Sequence, residues 1–235
     1  MRDREFDELV AREGAEAICE RLAPYVTERR KARIDQVVAA RLHDVQVAVE
    51  EPYDPHNAAA VVRSAEIFGA GAVHVVKASE RILHARRTTS GAFHWVRTYD
   101  YEELDTFFDR MAGAGIAVAG ACLGAERPLA TLPLSGKLCL LFGNEHRGLS
   151  PEARERCAVR FEIPMYGFSE SFNLSVSAAL SLHDATRRRR AYLGRDGDLD
   201  GQGRAVERAR YYVETVDDRL VAGMFPPHPA SPTQE

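Results

Sequence analysis

Apolar positions change their period along this chain. Over residues 4–26 they recur at helical spacing, at Phe6, Leu9, Val10, Ile18 and Leu22, with Gly14 interrupting and Pro24 ending the pattern. A second helical stretch is predicted over 27–42: Thr27 suits an N-cap, and Ile34, Val37, Val38 and Leu42 share one face. From residue 45 short apolar runs alternate with helical segments. Residues 45–49, 72–77, 116–121 and 138–142 predict strands, and 161–164 predicts an edge or short strand. Residues 57–68 and 102–112 predict helices, and 173–192 predicts a long helix rich in small residues. This alternation predicts an α/β fold, a mainly parallel sheet with helices on both faces. Residues 194–203 are rich in Gly and Asp and predict a linker, followed by a helix over 204–222 and a Pro-rich, disordered tail from Pro226.

Composition then narrows the function classes. With 235 residues the chain can bury a full core, and its net charge is −4. That charge argues against a broad basic coat for nucleic acid, but it is unevenly placed. Residues 1–27 and 195–235 each carry a net −3, while 28–194 carry +2. Of the 31 basic residues 28 are arginine, a bias that first suggests base composition and second suggests phosphate recognition. No apolar run reaches the roughly 18 residues that span a bilayer, so no membrane partner is expected. The N-terminal residues lack the apolar stretch of a signal peptide. Cys19, Cys122, Cys139 and Cys157 are far apart and His43, His56, His84, His94 and His146 show no ligand spacing, so we expect no metal, no disulfide framework and a reduced, cytoplasmic setting. Neither a Gly-x-Gly-x-x-Gly after a strand nor a phosphate-binding Gly-rich loop ending in Lys is present.

Three constellations carry chemistry. The first is Asp54-Pro55-His56-Asn57 with Arg63 six positions on. Asn57 could simply cap the helix, and Arg63 could be a solvated helix residue. The two lie about 240° apart around an ideal helix, so they share a site only if Asn57 acts from the loop end. The second runs from Leu140 to Ser150, an apolar strand that leads into Gly143, Asn144, Glu145, His146, Arg147 and Gly148. Charged residues at the carboxyl end of a parallel strand lie where open α/β sheets bind ligands, although a plain turn with Glu145 paired to an arginine is the ordinary alternative. The third spans residues 163–180, a Pro/Gly loop that delivers Ser171 and Asn173 to a helix start slimmed by Ser175, Ser177, Ala178 and Ala179.

Taken in this order, the three constellations resemble the SPOUT superfamily of methyltransferases, in its SpoU branch of RNA ribose 2′-O-methyltransferases. The resemblance covers about residues 27–192. The N-terminal stretch is similar to TrmH-type tRNA guanosine enzymes, through Arg30-Lys31-Ala32-Arg33-Ile34, Arg41, Pro55-His56-Asn57, Arg63, Thr89-Ser90-Gly91 and His94-Trp95-Val96. Phe172 and Leu174 depart from the commoner residues of the third motif but keep their apolar character.

The resemblance implies a C-terminal trefoil knot and a homodimer with its active site at the interface, and the helical patterns outside it add N- and C-terminal helical extensions. Together these readings divide the chain into an RNA-binding extension (1–43), a methyltransferase domain (44–193), and a linker, helix and tail (194–235). The resemblance implies S-adenosylmethionine as cofactor, held by Ala121, Gly143, Ile163, Met165, Phe172 and Leu174. The implied catalytic group is Arg63 with Asn57, Glu145, Ser171 and Asn173, and Glu145 is an alternative base. Arg29, Arg30, Lys31, Arg33 and Arg41 would bind RNA, whereas Arg187–Arg190 suit either RNA or the helix dipole. The expected activity is 2′-O-methylation of a tRNA guanosine in the D-loop. The alternatives are an rRNA ribose 2′-O-methyltransferase and a non-catalytic RNA-binding homologue.

Overall fold

The computed structural model describes residues 3–79 and 91–226. Two compact units are present, one formed by residues 39–199 and the other by 1–38 with 200–235.

The larger unit is built on seven strands: β1 (Val45–Glu50), β2 (Ala72–Val76), β3 (Arg97–Tyr101), β4 (Ile116–Ala121), β5 (Arg127–Pro128), β6 (Lys137–Phe142) and β7 (Val159–Glu162). They form one sheet in the order β3-β2-β1-β6-β4-β7-β5, and every pairing is parallel. Parallel strands need crossovers, and the helices that supply them cover both faces. On one face lie α4 (Pro55–Phe68) and α7 (Leu174–Leu193), which bury Val61, Val62, Ala65, Ala178, Leu182 and Ala185 against Val47, Val49, Val73 and Leu140. On the other lie α5 (Leu104–Gly113) and α6 (Pro151–Arg156), with Phe107, Phe108, Met111 and Ala153 against Ala48, Val76, Cys139 and Leu141. Each strand of the sheet's middle is therefore apolar on both sides, which is why it reads as a continuous run.

β3, β5 and α6 fall where the apolar pattern predicts nothing. The strand at Val159–Glu162 lies between β4 and β5, so it is short but not at the edge, and Ile163 and Pro164 lie beyond it. The stretch predicted as a linker is pinned. The Asp198 carboxylate accepts from the amides of His43 and Asp44 at 2.7 and 3.0 Å, and a Cβ on Gly197 would overlap the Ala39 and Arg41 carbonyls.

The smaller unit contains α1 (Asp3–Glu13), α2 (Ala15–Leu22), α3 (Glu28–Ala39, whose last residue belongs to the larger unit), α8 (Gly201–Thr215) and α9 (Asp218–Met224). Gly14 separates α1 from α2 at φ +82°, and the Thr27 hydroxyl accepts from the Arg30 amide at 3.3 Å at the start of α3. α2 packs on α8, and Arg208 pairs with Asp35 at 2.7 Å. Residues 227–235 of the predicted tail lie outside the described residues, as do Thr89 and Ser90.

Candidate active site at the carboxyl ends of the strands

β1 and β6 are neighbours whose chains leave in opposite directions. Val49 is level with Phe142, yet β1 leads to α4 on one face and β6 leads to α6 on the other. This is a topological switch point, the place where open parallel sheets leave a crevice for ligand. The first two constellations flank it. The third enters from β7, two strands away across β4.

Local chemistry fixes each loop. Asp54, not Asn57, is the N-cap of α4: its carboxylate accepts from the His56 amide at 2.9 Å, and Pro55 fills the first helical position. This frees the Asn57 side chain for longer contacts. Gly143 and Gly148 close the second loop. A Cβ on Gly143 would fall onto the Gly148 carbonyl carbon and the Leu149 amide, and Gly148 has φ +67°. Asn144 exchanges backbone hydrogen bonds with Gly148, and its side chain donates to the Glu51 carbonyl at 2.7 Å. The buried Glu50 carboxylate accepts from the Ser150 amide at 3.0 Å and its hydroxyl at 2.6 Å. Ser150 in turn caps α6 by accepting from the Ala153 amide at 3.1 Å. Ser150 closes the second constellation, whereas Glu50 lies outside all three, and its place as an acidic residue at the end of β1 is the signal that points to it.

One chain of hydrogen bonds joins the three constellations. Glu145 accepts from Asn57 Nδ2 at 2.9 Å, Asn57 Oδ1 accepts from Asn173 Nδ2 at 3.0 Å, and Asn173 Oδ1 accepts from the Ser175 amide at 2.8 Å and hydroxyl at 2.7 Å. A carboxylate only accepts and an amide N–H only donates, so the two ends dictate how each Asn amide is turned. Asn173 is thereby the N-cap of α7, as its position in the sequence predicts. Glu145 also accepts from the amides of Tyr53 and Asp54 at 2.8 and 3.1 Å, and among the described residues pairs with no arginine. Burial alone would push its carboxyl up. The bonds from the Asn57 side chain and from the backbone of Tyr53, Glu145 and Asp54 outweigh that and hold it below the usual carboxylate range. Arg147 pairs with Glu51 at 2.5 Å instead.

The remaining residues divide. Arg63 lies on α4 but stays outside this chain: it is exposed and has no hydrogen bond or ion pair among the described residues. Ser171 is also exposed on the loop before α7. Ala121, Gly143 and Ile163 come together at the ends of β4, β6 and β7, which are adjacent in the sheet. Ile163 is half-buried against the core, Leu174 is buried in it, Met165 is half-buried, and Phe172 is exposed. With exposed Tyr166, Phe168, Val176 and Leu180, Phe172 forms an apolar surface on the loop and the first turns of α7.

Of the basic residues expected to meet RNA, Arg29, Arg30 and Arg33 are exposed on α3, and Lys31 is paired with Glu28 at 2.7 Å. Arg41 is different, and its expected contact with RNA is corrected here. It is 1% exposed, and its guanidinium donates to the carbonyls of Ala70 at 3.2 Å, Glu66 at 3.5 Å and Trp95. A guanidinium enclosed this way cannot reach a phosphate. Arg188, Arg189 and Arg190 likewise hold carbonyls of neighbouring loops, and only Arg187 of that run is exposed. Among the described residues no group of three or more His, Cys, Asp or Glu could hold a metal ion, and no helix is long and apolar enough to cross a membrane. All four cysteines are free, and burial pushes Cys157 up to about 12 and Cys19 to about 11.

Known proteins are similar to this chain in sequence and in fold. The family model described as SpoU rRNA Methylase matches residues 44–183. A tRNA (guanosine(18)-2′-O)-methyltransferase of Borreliella burgdorferi is 29% identical over 196 residues, which cover 83% of this chain and 89% of that one. The A. aeolicus TrmH/SpoU tRNA modifying enzyme has the same fold, with a TM-score of 0.66 at 23% identity over 81% of this chain and 98% of the other. The SpoU methyltransferase AviRb of Streptomyces viridochromogenes, solved with AdoMet, has a TM-score of 0.57 at 26% identity over 65% of this chain and 62% of its own. Since the family model spans more than half of its residues, this chain belongs to the SpoU rRNA methylase family.

Proposed function

We propose that this protein is an RNA 2′-O-methyltransferase that uses S-adenosylmethionine and acts on a guanosine ribose in the tRNA D-loop. The carrying observation is the hydrogen-bonded chain from Glu145 through Asn57 to Asn173, which gathers three distant segments at the switch point. The relative named for guanosine 18 of tRNA supports the substrate.

The residues suit the cofactor. Ala121, Gly143, Ile163, Met165, Phe172 and Leu174 are all uncharged, and the strand ends offer backbone groups beside them, as fits a nucleoside recognised by main chain and apolar walls. When bound it supplies a methyl group already activated on a sulfonium. The chain must then align the hydroxyl and ease loss of its proton.

Glu145 is poorly suited to take that proton. Its two oxygens already accept three hydrogen bonds, and these hold its basicity down. Its work is to fix Asn57 and the start of α4. Arg63 has no hydrogen bond or ion pair among the described residues, and its guanidinium would stabilise the developing alkoxide or pass its proton toward an RNA phosphate. Ser171, on the exposed loop, would face the ribose. Arg29, Arg30, Lys31 and Arg33 would hold the RNA backbone, giving steep salt dependence.

A homodimer and a C-terminal trefoil knot complete this reading. The exposed Tyr166, Phe168, Phe172, Val176 and Leu180 support a second copy packed against this face, and an Arg63 that is exposed and unpaired among the described residues suits a site finished by that copy. The loops after β6 and β7 flank the same end of β4, which supports a knotted path. We place the protein in the cytoplasm.

The test is to incubate labelled S-adenosylmethionine with unmodified tRNA and rRNA and to map the labelled nucleotide. Label on the 2′-oxygen of a D-loop guanosine is expected. Label only in rRNA would move the substrate, and no transfer with cofactor still bound would mark an RNA-binding homologue. Arg63→Lys should lose turnover while keeping tRNA affinity; near-full turnover would sink the role given to Arg63.

A further inference from the structure

A cavity of about 310 Å³ opens at the opposite end of the sheet, lined among others by Gln46, His74, Arg97, Tyr99 and Arg110. Gln46 and Arg97 sit at the starts of β1 and β3, His74 and Tyr99 midway along β2 and β3, and Arg110 on the last turn of α5. The lining also includes Ala72 and Ile116 at the amino ends of β2 and β4, so the cavity opens at the end of the sheet away from the switch point, which lies at the carboxyl ends.

Its wall is polar where the rest of that face is apolar. Gln46 Nε2 donates to the His43 carbonyl at 3.0 Å, so Gln46 Oε1 is the acceptor toward His74 Nε2 at 2.7 Å. His74 Nε2 therefore carries the hydrogen, and Nδ1 accepts from the Tyr101 hydroxyl at 2.9 Å. Burial, and then Arg110, push the His74 pKa down to about 3, so the ring is neutral. His74 lies flat beside Tyr99, with ring centroids 5.4 Å apart. The Arg110 guanidinium lies over Tyr99, 3.8 Å from its centroid. Arg110 has no ion pair among the described residues, and no lining residue is acidic. The cavity thus combines a rigid neutral floor with two arginines, one of them held by an aromatic ring and not by a carboxylate.

We propose that this cavity is a second binding site, separate from methyl transfer, for a phosphate group on a small organic ligand or on RNA. Guanidinium groups match phosphate geometry in a way that a lone ammonium does not, and the volume lies at the lower end for small-molecule sites.

Backbone amide NMR of the full chain, titrated with adenosine 5′-monophosphate, inorganic phosphate and adenosine, tests this. Both phosphates should shift the amides of residues 71–74, 97–99 and 110–116 saturably, and adenosine should not. Arg110→Gln should weaken the binding about tenfold, as loss of one charge-assisted contact does. Arg97→Gln, on the edge strand, gives a second variant if the first fails to fold. If the RNA backbone is the source, neither small phosphate binds, but Arg110→Gln lowers the salt slope of tRNA binding by about one. The proposal is overturned if adenosine shifts the same amides equally, or if the small phosphates do not bind and the tRNA slope is unchanged. None of these readouts depends on methyl transfer.

Discussion

Replacing Arg41 with Met keeps most of the stem and removes every donor. The buried Ala70 carbonyl and the Trp95 carbonyl each lose their guanidinium partner, while the contact to the Glu66 carbonyl at 3.5 Å and the ion pair to the Glu66 carboxylate at 3.8 Å are long and contribute less. A buried carbonyl left unpaired costs about 1–3 kcal/mol. Some of that returns because a buried charge no longer has to be desolvated. The net loss should be about 2–4 kcal/mol. Arg41→Ala should lose about 2 kcal/mol more through the missing methylenes. The assay is urea unfolding followed by the fluorescence of Trp95, the chain's only tryptophan, which lies in the same compact unit as Arg41. With a slope of about 2 kcal/mol per molar, the Met variant's midpoint should fall by about 1–2 M. Its tRNA affinity, measured well below that midpoint, should match the parent. A midpoint unchanged within about 0.2 M, together with tRNA binding weakened tenfold or more, would refute this reasoning and return Arg41 to the RNA.

Glu145→Gln should destabilise the protein by about 1–2 kcal/mol at neutral pH, since an amide cannot accept all three hydrogen bonds. The folded Glu145 pKa is depressed, so its stabilisation is present above the unfolded value of 4.5 and is lost as pH falls below it. Denaturant midpoints measured from neutral pH downward should therefore converge for parent and variant below about pH 4.5. Asn57→Asp sets a second carboxylate against Glu145 in place of a donor at 2.9 Å. Methyl transfer should fall at neutral pH and recover in part as pH is lowered and one carboxylate of the pair takes a proton. Glu50→Gln loosens the clamp on Ser150 without touching a proposed ligand contact. The KM for S-adenosylmethionine should rise by more than kcat falls, and an unchanged KM would separate Glu50 from the shape of that loop.

The core strands were legible because burial on both faces forces continuous apolar runs, as in residues 138–142. β3 was not, because its sequence, Arg97-Thr98-Tyr99-Asp100-Tyr101, is that of a half-buried edge strand beside a polar cavity. β5 has only two residues and leaves no period to read. At the start of α4 the signal was present in Asp54-Pro55, but Asn57 is an equally good capping type, and residue type alone does not rank them. Asn173 had no such rival. The site's members were readable from their types and loop positions, whereas their pairings were not. Nothing local says that Glu145 will choose Asn57 and two backbone amides over an arginine. Arg41 misled for the same reason: the carbonyls that enclose it come from the turn around Ala70 and from Trp95, far away in sequence.

The contacts that build the site join residues 88 and 116 positions apart. Closing loops of that length is slow compared with forming α4 or pairing β1 with β2, so the Glu145–Asn57–Asn173 chain belongs to the last events of folding. It cannot exist in a nascent fragment that has not yet reached residue 173. Competence for catalysis should therefore appear as a single late step in refolding, well after helical signal and compaction have returned, and a partly folded chain would have no partial version of it to use.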